Sequence, residues 1–412
     1  MFWLKKGLLP LQKRSINKVD KMLPFEEAQS TVINNARFLG TERVDFRQSL
    51  NRVLAENVES DIDMPPFDKA AMDGFACRRE DLDKPMKVLE TIAAGEVSSK
   101  QVGEGDCVKV MTGAPIPEGA DTVIMVEHTE MVDSETVRFT GKNTAPNIAK
   151  KGEDVKEGDI VLRKDTLIKP QHIAIMASVG CTQPLVAKVP KVAIMSTGDE
   201  LVEPEKTPGK GQIRNSNSFQ LVAQVDNCYC ESSYKGIIPD DEESTKKAIG
   251  EALAENDVVI LTGGVSMGEF DFVPDMMKKN DVDILFQKVA VKPGRPTVFG
   301  KTDSSYIFGL PGNPVSSFII FEVIVKPFLF KLMGYEFNPL EVKLPMQVDY
   351  KRKKADRITW IPVVLNSHGE VLPTEYHGSA HIHAICESYG MMAIQKDVYE
   401  IKKGELVNVR PF

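Results

Sequence analysis

The chain has 412 residues, 42% hydrophobic and 27% charged, with a net charge of −8. That length exceeds one ordinary core and implies several domains, while the acidic balance excludes general affinity for nucleic acid or an anionic membrane. Six cysteines lie without zinc or disulfide-framework spacing, the usage of reduced thiols in a cytoplasmic protein.

Residues 1–21 carry Lys5, Lys6, Lys13, Arg14, Lys18 and Lys21 with no continuous apolar core. They form no secretory signal and are expected to be a flexible leader, or an over-long start ahead of Met22. Helical spacing of Ala28, Val32, Ala36 and Leu39 predicts a helix over 26–39. Between 60 and 150 the pattern turns to short β-rich runs (87–91, 107–111, 122–127, 136–139) broken by Gly and Pro. A helix is expected over 170–179. From Lys191 strands (191–196, 233–237, 257–262, 284–291, 305–310) alternate with helices (218–225, 242–255, 273–279). That alternation predicts a parallel, doubly wound sheet. The apolar run 318–330 contains Glu322, Lys326 and Pro327 and is too short and polar to span a bilayer. After Gly334 the helices stop, and runs at 344–350, 359–365, 391–394 and 406–409 predict a small β domain.

Three loops follow short apolar strands: Ser196-Thr197-Gly198-Asp199-Glu200, Thr262-Gly263-Gly264-Val265-Ser266 and Pro311-Gly312-Asn313-Pro314-Val315-Ser316. Three such loops at one sheet edge point to a phosphate-bearing ligand. In the third, Asn313 suits a helix N-cap and Pro314 the first helical position, leaving a positive helix end with the Ser316 hydroxyl. A capped packing helix is the plainer alternative. The paired glycines of the second let backbone N–H groups approach a ligand, although neither a P-loop nor a dinucleotide fingerprint is present. Glu269 and Asp271 follow it and suit magnesium beside a phosphate, or simply a solvated helix start.

Lys288 and Lys292, four apart on an expected buried strand, share a face, and Arg295 follows in a turn. This trio reads as an anion clamp. Upstream, Asp68 and Asp73 lie among apolar and proline residues, and Thr112 in a small-residue turn. Asp154, Asp240 and Asp241 add carboxylates, the last two equally suited to capping a helix. His377, His381 and His383 alternate as on a strand face, where a surface role outweighs a metal site.

Taken together these residues resemble the molybdopterin molybdenumtransferase family, to which the C-terminal domain of gephyrin belongs. The resemblance rests on Pro-Pro-Phe-Asp-Lys-Ala-Ala-Met-Asp-Gly at 65–74, Met-Thr-Gly-Ala-Pro-Ile-Pro at 111–117 and Lys-Gly-Glu-Asp at 151–154. It continues through Ser-Thr-Gly-Asp-Glu-Leu at 196–201, Gly-Gly-Val-Ser-Met-Gly-Glu at 263–269, Lys-Pro-Gly-Arg-Pro at 292–296 and Leu-Pro-Gly-Asn-Pro-Val-Ser at 310–316. Lys69-Ala70 departs from the Asn-Ser frequent there.

The resemblance implies an α/β multidomain chain. A discontinuous mixed α/β dimerisation region would cover 22–58 and 155–189, and a β-rich insert domain 59–154. A parallel-sheet molybdopterin-binding domain would cover 190–336, and a small C-terminal β barrel 337–412. It implies a homodimer with the active site at the subunit interface, and magnesium-dependent insertion of molybdate into adenylylated molybdopterin with release of AMP. Substrate would be handed over from an adenylyltransferase and product on to molybdoenzymes.

Within that reading the catalytic candidates are Asp68, Asp73, Asp154, Glu200, Asp240, Asp241 and Asp271, with Glu200 and Asp271 as magnesium ligands. The substrate-binding candidates are Thr112, Ser196, Thr197, Gly198 and Asp199, then Gly263, Gly264 and Ser266. Lys288, Lys292 and Arg295 join them, as do Pro311, Gly312, Asn313, Pro314 and Ser316. The rival readings are the related adenylyltransferase, a non-enzymatic gephyrin-like scaffold, and tungstate in place of molybdate.

Overall fold

The computed structural model describes residues 21–265, 272–374 and 382–412. Contacts divide the chain into two compact units, Arg43–Val186 and the remainder.

In the first unit a six-stranded sheet runs in the order Thr122–Met125, Gly74–Cys77, Asp106–Val110, Met86–Ile92, Thr136–Phe139, Thr129–Met131. Alternation of side chains along each strand gives it two apolar faces. Ala76, Val108 and Val123 build one core, and Phe75, Cys77 and Ile124 the other. Gly74–Cys77, which the periodicity passed over, is among its central strands. Separately, Val58–Glu59 pairs antiparallel with Ile160–Leu162. Leu54, Val58, Leu162, Ile168 and Met176 form a core of their own with the helix Pro170–Ser178. Segments on either side of the six-stranded sheet therefore fold together, and the sheet is inserted between them.

The second unit is built on strands β1 (Lys191–Thr197), β2 (Glu231–Ile238), β3 (Val258–Thr262), β4 (Asp283–Phe286), β5 (Val298–Lys301) and β6 (Tyr306–Leu310). Its helices are α1 (Asn217–Asp226), α2 (Glu242–Glu255), α3 (Val273–Lys278) and α4 (Pro314–Ile320). Sheet order is β2-β1-β3-β6-β5-β4. The first four strands are mutually parallel, as the βα alternation requires. β5 runs antiparallel to both of its neighbours, β6 and β4, a correction to the all-parallel expectation. β5 and β6 are joined only by residues 302–305, a connection too short for a parallel crossover.

The strand expected over 284–291 also ends early. The Lys288 carbonyl accepts from Leu23 N at 2.8 Å, and Ala290 N donates to the Leu23 carbonyl at 2.7 Å. That exchange diverts the chain, so Val291–Lys292 pairs with Ile358–Thr359 instead. Lys288 and Lys292 consequently do not share a strand face.

α4 passes through a π turn, Phe321–Val325, into the helix Lys326–Leu332. Pro327 does not end the helix. It has no N–H for the carbonyl four residues back, Val323, and that carbonyl accepts from Gln29 Nε2 at 2.8 Å. Gln29 lies on the N-terminal helix Phe25–Asn35, which is shorter than the expected 26–39.

The C-terminal strands pair in the order Val291–Lys292, Ile358–Leu365, Gly390–Ile394, Leu406–Pro411, Val342–Pro345, with Val371–Pro373 also on Ile358–Leu365. A bridge between Met346 and Val371 closes the path through Val371–Pro373 onto Ile358–Leu365, around a core that includes Ile361, Val363, Met392 and Val409. His383 begins a short helix, His383–Cys386, so its expected place on a strand face is overturned. His377 and His381 lie outside the described residues.

Candidate active site

β1, β3 and β6 are adjacent, and Ser196 pairs with Thr262 and Thr262 with Leu310. Their C-terminal ends are thus level, and the three glycine loops emerge side by side, where open α/β sheets bind ligands. Gly263 (φ 97°) and Gly264 (φ 61°) occupy backbone conformations that disfavour any side chain. A Cβ on Gly263 would stand 2.5 Å from the Thr197 carbonyl oxygen, so the first two loops touch through backbone. The Thr262 hydroxyl donates to the Pro311 carbonyl at 3.1 Å. Asn217 Nδ2, at the start of α1, donates to the Gly312 carbonyl at 2.7 Å.

Within the first loop the candidates separate. Ser196 is buried, its hydroxyl donating to Asn215 Oδ1 at 3.1 Å and lying 2.7 Å from that of Ser218. Asn215 Nδ2 donates to the Tyr234 hydroxyl (2.9 Å), which donates to Glu203 (2.8 Å). Ser196 is therefore an inward strut and not a ligand contact. Thr197 is also buried, and its hydroxyl makes no well-formed hydrogen bond. Asp199 and Glu200 are exposed. The Asp199 and Asp240 carboxylates each accept from the other's backbone N–H, at 3.2 and 3.4 Å. Burial, then the neighbouring charges of Asp199 and Glu200, push the Asp240 carboxyl above its ordinary range. Asp241 instead caps α2, accepting from Ser244 N at 2.8 Å. Ser266 and Asp271 lie outside the described residues. Among the described residues no group of three or more His, Cys, Asp and Glu side chains is placed to hold a metal ion.

Beside the third loop is a cavity of about 560 Å³. Lys292, Arg295, Asn313 and Ser316 line it from the sheet side, and Tyr350, Arg357 and Thr359 from the C-terminal strands. Asn313 takes the N-cap position of α4 without a side-chain capping bond, and Pro314 is the first helical residue. Three cations and three hydroxyls with no lining carboxylate suit a small oxyanion. Lys288 does not line this cavity. Arg357, Tyr350 and Thr359 were not foreseen, because no spacing in the sequence joins residues near 355 to a loop near 312.

The remaining candidates belong to the Arg43–Val186 unit. Asp68 accepts from Lys150 Nζ and from Lys151 N, each at 2.8 Å, and the Lys150 bond foremost lowers its pKa. Asp73 accepts from Thr112 N (2.6 Å) and the Thr112 hydroxyl (2.8 Å), which likewise lowers its pKa. Asp154 lines a separate hollow of about 1,030 Å³ with Met64, Pro65 and Lys69.

Three family descriptions match this chain in succession. They are the MoeA N-terminal region (domain I and II) over residues 23–180, a probable molybdopterin binding domain over 193–331, and the MoeA C-terminal region (domain IV) over 343–412. The chain belongs to the MoeA family. A curated relative from Staphylococcus aureus, molybdopterin molybdenumtransferase, is 36% identical over 399 residues, 94% of this chain and 95% of the relative. One of the same name from Staphylococcus epidermidis is 35% identical over 406 residues, 95% of this chain and 96% of its own length. The crystal structure of a molybdopterin biosynthesis moeA protein from Pyrococcus horikoshii superposes with a TM-score of 0.83 at 33% identity. That match covers 95% of this chain and all of the other.

The family match spans both units, so the phosphate-loop edge, the cationic cavity and the Asp68–Asp73 loop all lie within its reach. Asn217, also unforeseen, did carry a signal: it sits in the polar run Asn215-Ser216-Asn217-Ser218 that opens α1. All six cysteines are free, and no helix among the described residues is long and apolar enough to cross a membrane.

Proposed function

We propose that this chain inserts molybdate into adenylylated molybdopterin, releasing AMP and forming molybdenum cofactor. The level edge of three glycine loops with a cationic cavity beside it carries this reading. Backbone N–H groups of Gly198, Glu200 and Gly264, with those of Gly312, Asn313, Val315 and Ser316, would hold the anhydride phosphates. Lys292, Arg295, Arg357 and the Ser316 hydroxyl would hold molybdate, an oxyanion that carboxylates would repel. Asp240, beside Asp199 at the end of the first loop, is the proposed carboxyl for orienting water or the leaving oxygen at the phosphate edge. Asp68 and Asp73, held ionised by Lys150 and Thr112, suit orientation of water or substrate better than proton donation.

Magnesium fits the acids beside β1. Asp199, Glu200 and Asp240 crowd like charges that a divalent cation relieves. With one or two carboxylates available and no closed protein cage, phosphate oxygens and water would complete its shell, as this ion prefers. Glu200 and Asp271 remain the proposed ligands, and the ion would supply charge stabilisation at the anhydride.

Asp68, Asp73 and Thr112 lie in a different unit from the loops, and a homodimer in which a partner subunit completes the site is part of this reading. The proposed regions are a leader (1–21), a discontinuous dimerisation region (22–58 and 155–189), the insert (59–154), the molybdopterin-binding domain (190–336) and the C-terminal domain (337–412). The closed pairing path supports a β barrel for the last. Free thiols support a cytoplasmic setting, with substrate received from an adenylyltransferase and product passed to molybdoenzymes.

Incubation with adenylylated molybdopterin, magnesium and either molybdate or tungstate tests the reading. Oxyanion-dependent AMP release is expected. Release that ignores the oxyanion, or none at all, would overturn it in favour of an adenylyltransferase or a scaffold.

A further inference from the structure

Arg352 lies outside the cationic cavity, yet its bonds end at residues that line it. The half-buried guanidinium directs its donors to uncharged oxygens. Nε donates to the Val398 carbonyl at 2.6 Å. Nη1 donates to the Arg357 carbonyl at 3.2 Å and the Thr359 hydroxyl at 2.7 Å, and Nη2 to the Gln395 carbonyl. Burying a cation against carbonyls without a paired carboxylate is costly, so the arrangement needs a return. Its geometric effect is plain. The rigid fork ties the backbone of Arg357, the residue just before the strand Ile358–Leu365, to the turn at 395–398. Arg357 itself is otherwise lightly held, with its Nη1 3.5 Å from the Val291 carbonyl and its Nε 3.3 Å from the exposed Asp356 carboxylate.

We infer that Arg352 is a positioning residue. By clamping the Arg357 carbonyl and the Thr359 hydroxyl to the 395–398 turn, it holds the Arg357 guanidinium at the cavity and sets its affinity for an oxyanion. This rests on the reading of that cavity as the oxyanion site.

Tungstate and molybdate titrations of the full chain, with Arg352→Met, Arg352→Lys, Arg357→Met and the double methionine variant, test it. Loss of one charge-assisted contact predicts roughly tenfold weaker binding by Arg352→Met. Arg352→Lys should recover only part of that, since an ammonium cannot span four fixed acceptors. The decisive readout is non-additivity: Arg352→Met should add little in the Arg357→Met background. A purely structural role would lower the melting temperature and weaken binding equally in both backgrounds, which overturns the inference. So does wild-type affinity in Arg352→Met. Should Arg352→Met not fold, faster amide exchange at 353–359 and weaker oxyanion binding in Arg352→Lys would still support the clamp, and wild-type values of both would overturn it. A wild-type chain that binds neither oxyanion removes the cavity reading itself, a result distinct from a clamp that fails while the cavity binds.

Discussion

Asn217 Nδ2 donates to the Gly312 carbonyl at 2.7 Å and to the Thr262 hydroxyl oxygen at 3.3 Å, which joins the second and third glycine loops through the first residue of α1. Spacing between those loops decides whether their N–H groups converge on one phosphate. Asn217→Ala removes about 1 kcal/mol of this link and should weaken AMP binding roughly fivefold. Calorimetric titration with AMP checks this, with oxyanion affinity as an internal control expected to change less.

Gly263→Ala places a methyl 2.5 Å from the Thr197 carbonyl oxygen in a conformation with φ 97°. Backbone must move, at a cost of about 1–3 kcal/mol. Urea unfolding should show a lower midpoint with an unchanged slope, and AMP binding should be lost.

Gln29→Leu deprives the Val323 carbonyl of the donor that replaces the one missing at Pro327. Leaving it unpaired should cost about 1–3 kcal/mol. Because Gln29 bonds the π turn and none of the glycine loops, a fall in melting temperature with AMP affinity retained is the expected result.

Asp240 gives a pH signature. Its carboxyl is raised in the folded chain by burial and by Asp199 and Glu200, so the folded state binds its proton more tightly than the unfolded state does. Ionisation then opposes folding at neutral pH, and the penalty disappears as pH falls through the raised folded value toward the ordinary one. Asp240→Asn should therefore raise the melting temperature at pH 7, with a gain that shrinks on acidification. The same variant should slow oxyanion-dependent AMP release. A gain independent of pH would contradict the charge argument.

Much of the scaffold was legible because it is local. Helical and strand periodicity placed most elements of the sheet unit, and paired glycines marked the loops that need positive φ. The β5 strand, the early end of β4 and the helix at His383 were not legible. For β5 and β4 a short connection and a backbone exchange with a distant segment, Leu23 with Lys288 and Ala290, overrode local preference.

For the site the division is similar. Residue type and order alone pointed to a phosphate edge, an anion clamp and the molybdopterin molybdenumtransferase resemblance, since glycine freedom, helix-start chemistry and lysine charge are properties of short segments. Tertiary structure decided which side chains serve. It turned Ser196 inward to Asn215 and Ser218, committed Asp241 to a helix cap, raised Asp240 by burying it beside two other acids, and removed Lys288 from the clamp. In place of Lys288 it brought Arg357 from a strand edge more than forty residues beyond Gly312. Side-chain direction, desolvation and charge proximity depend on segments distant in the chain, and only folding brings those segments together.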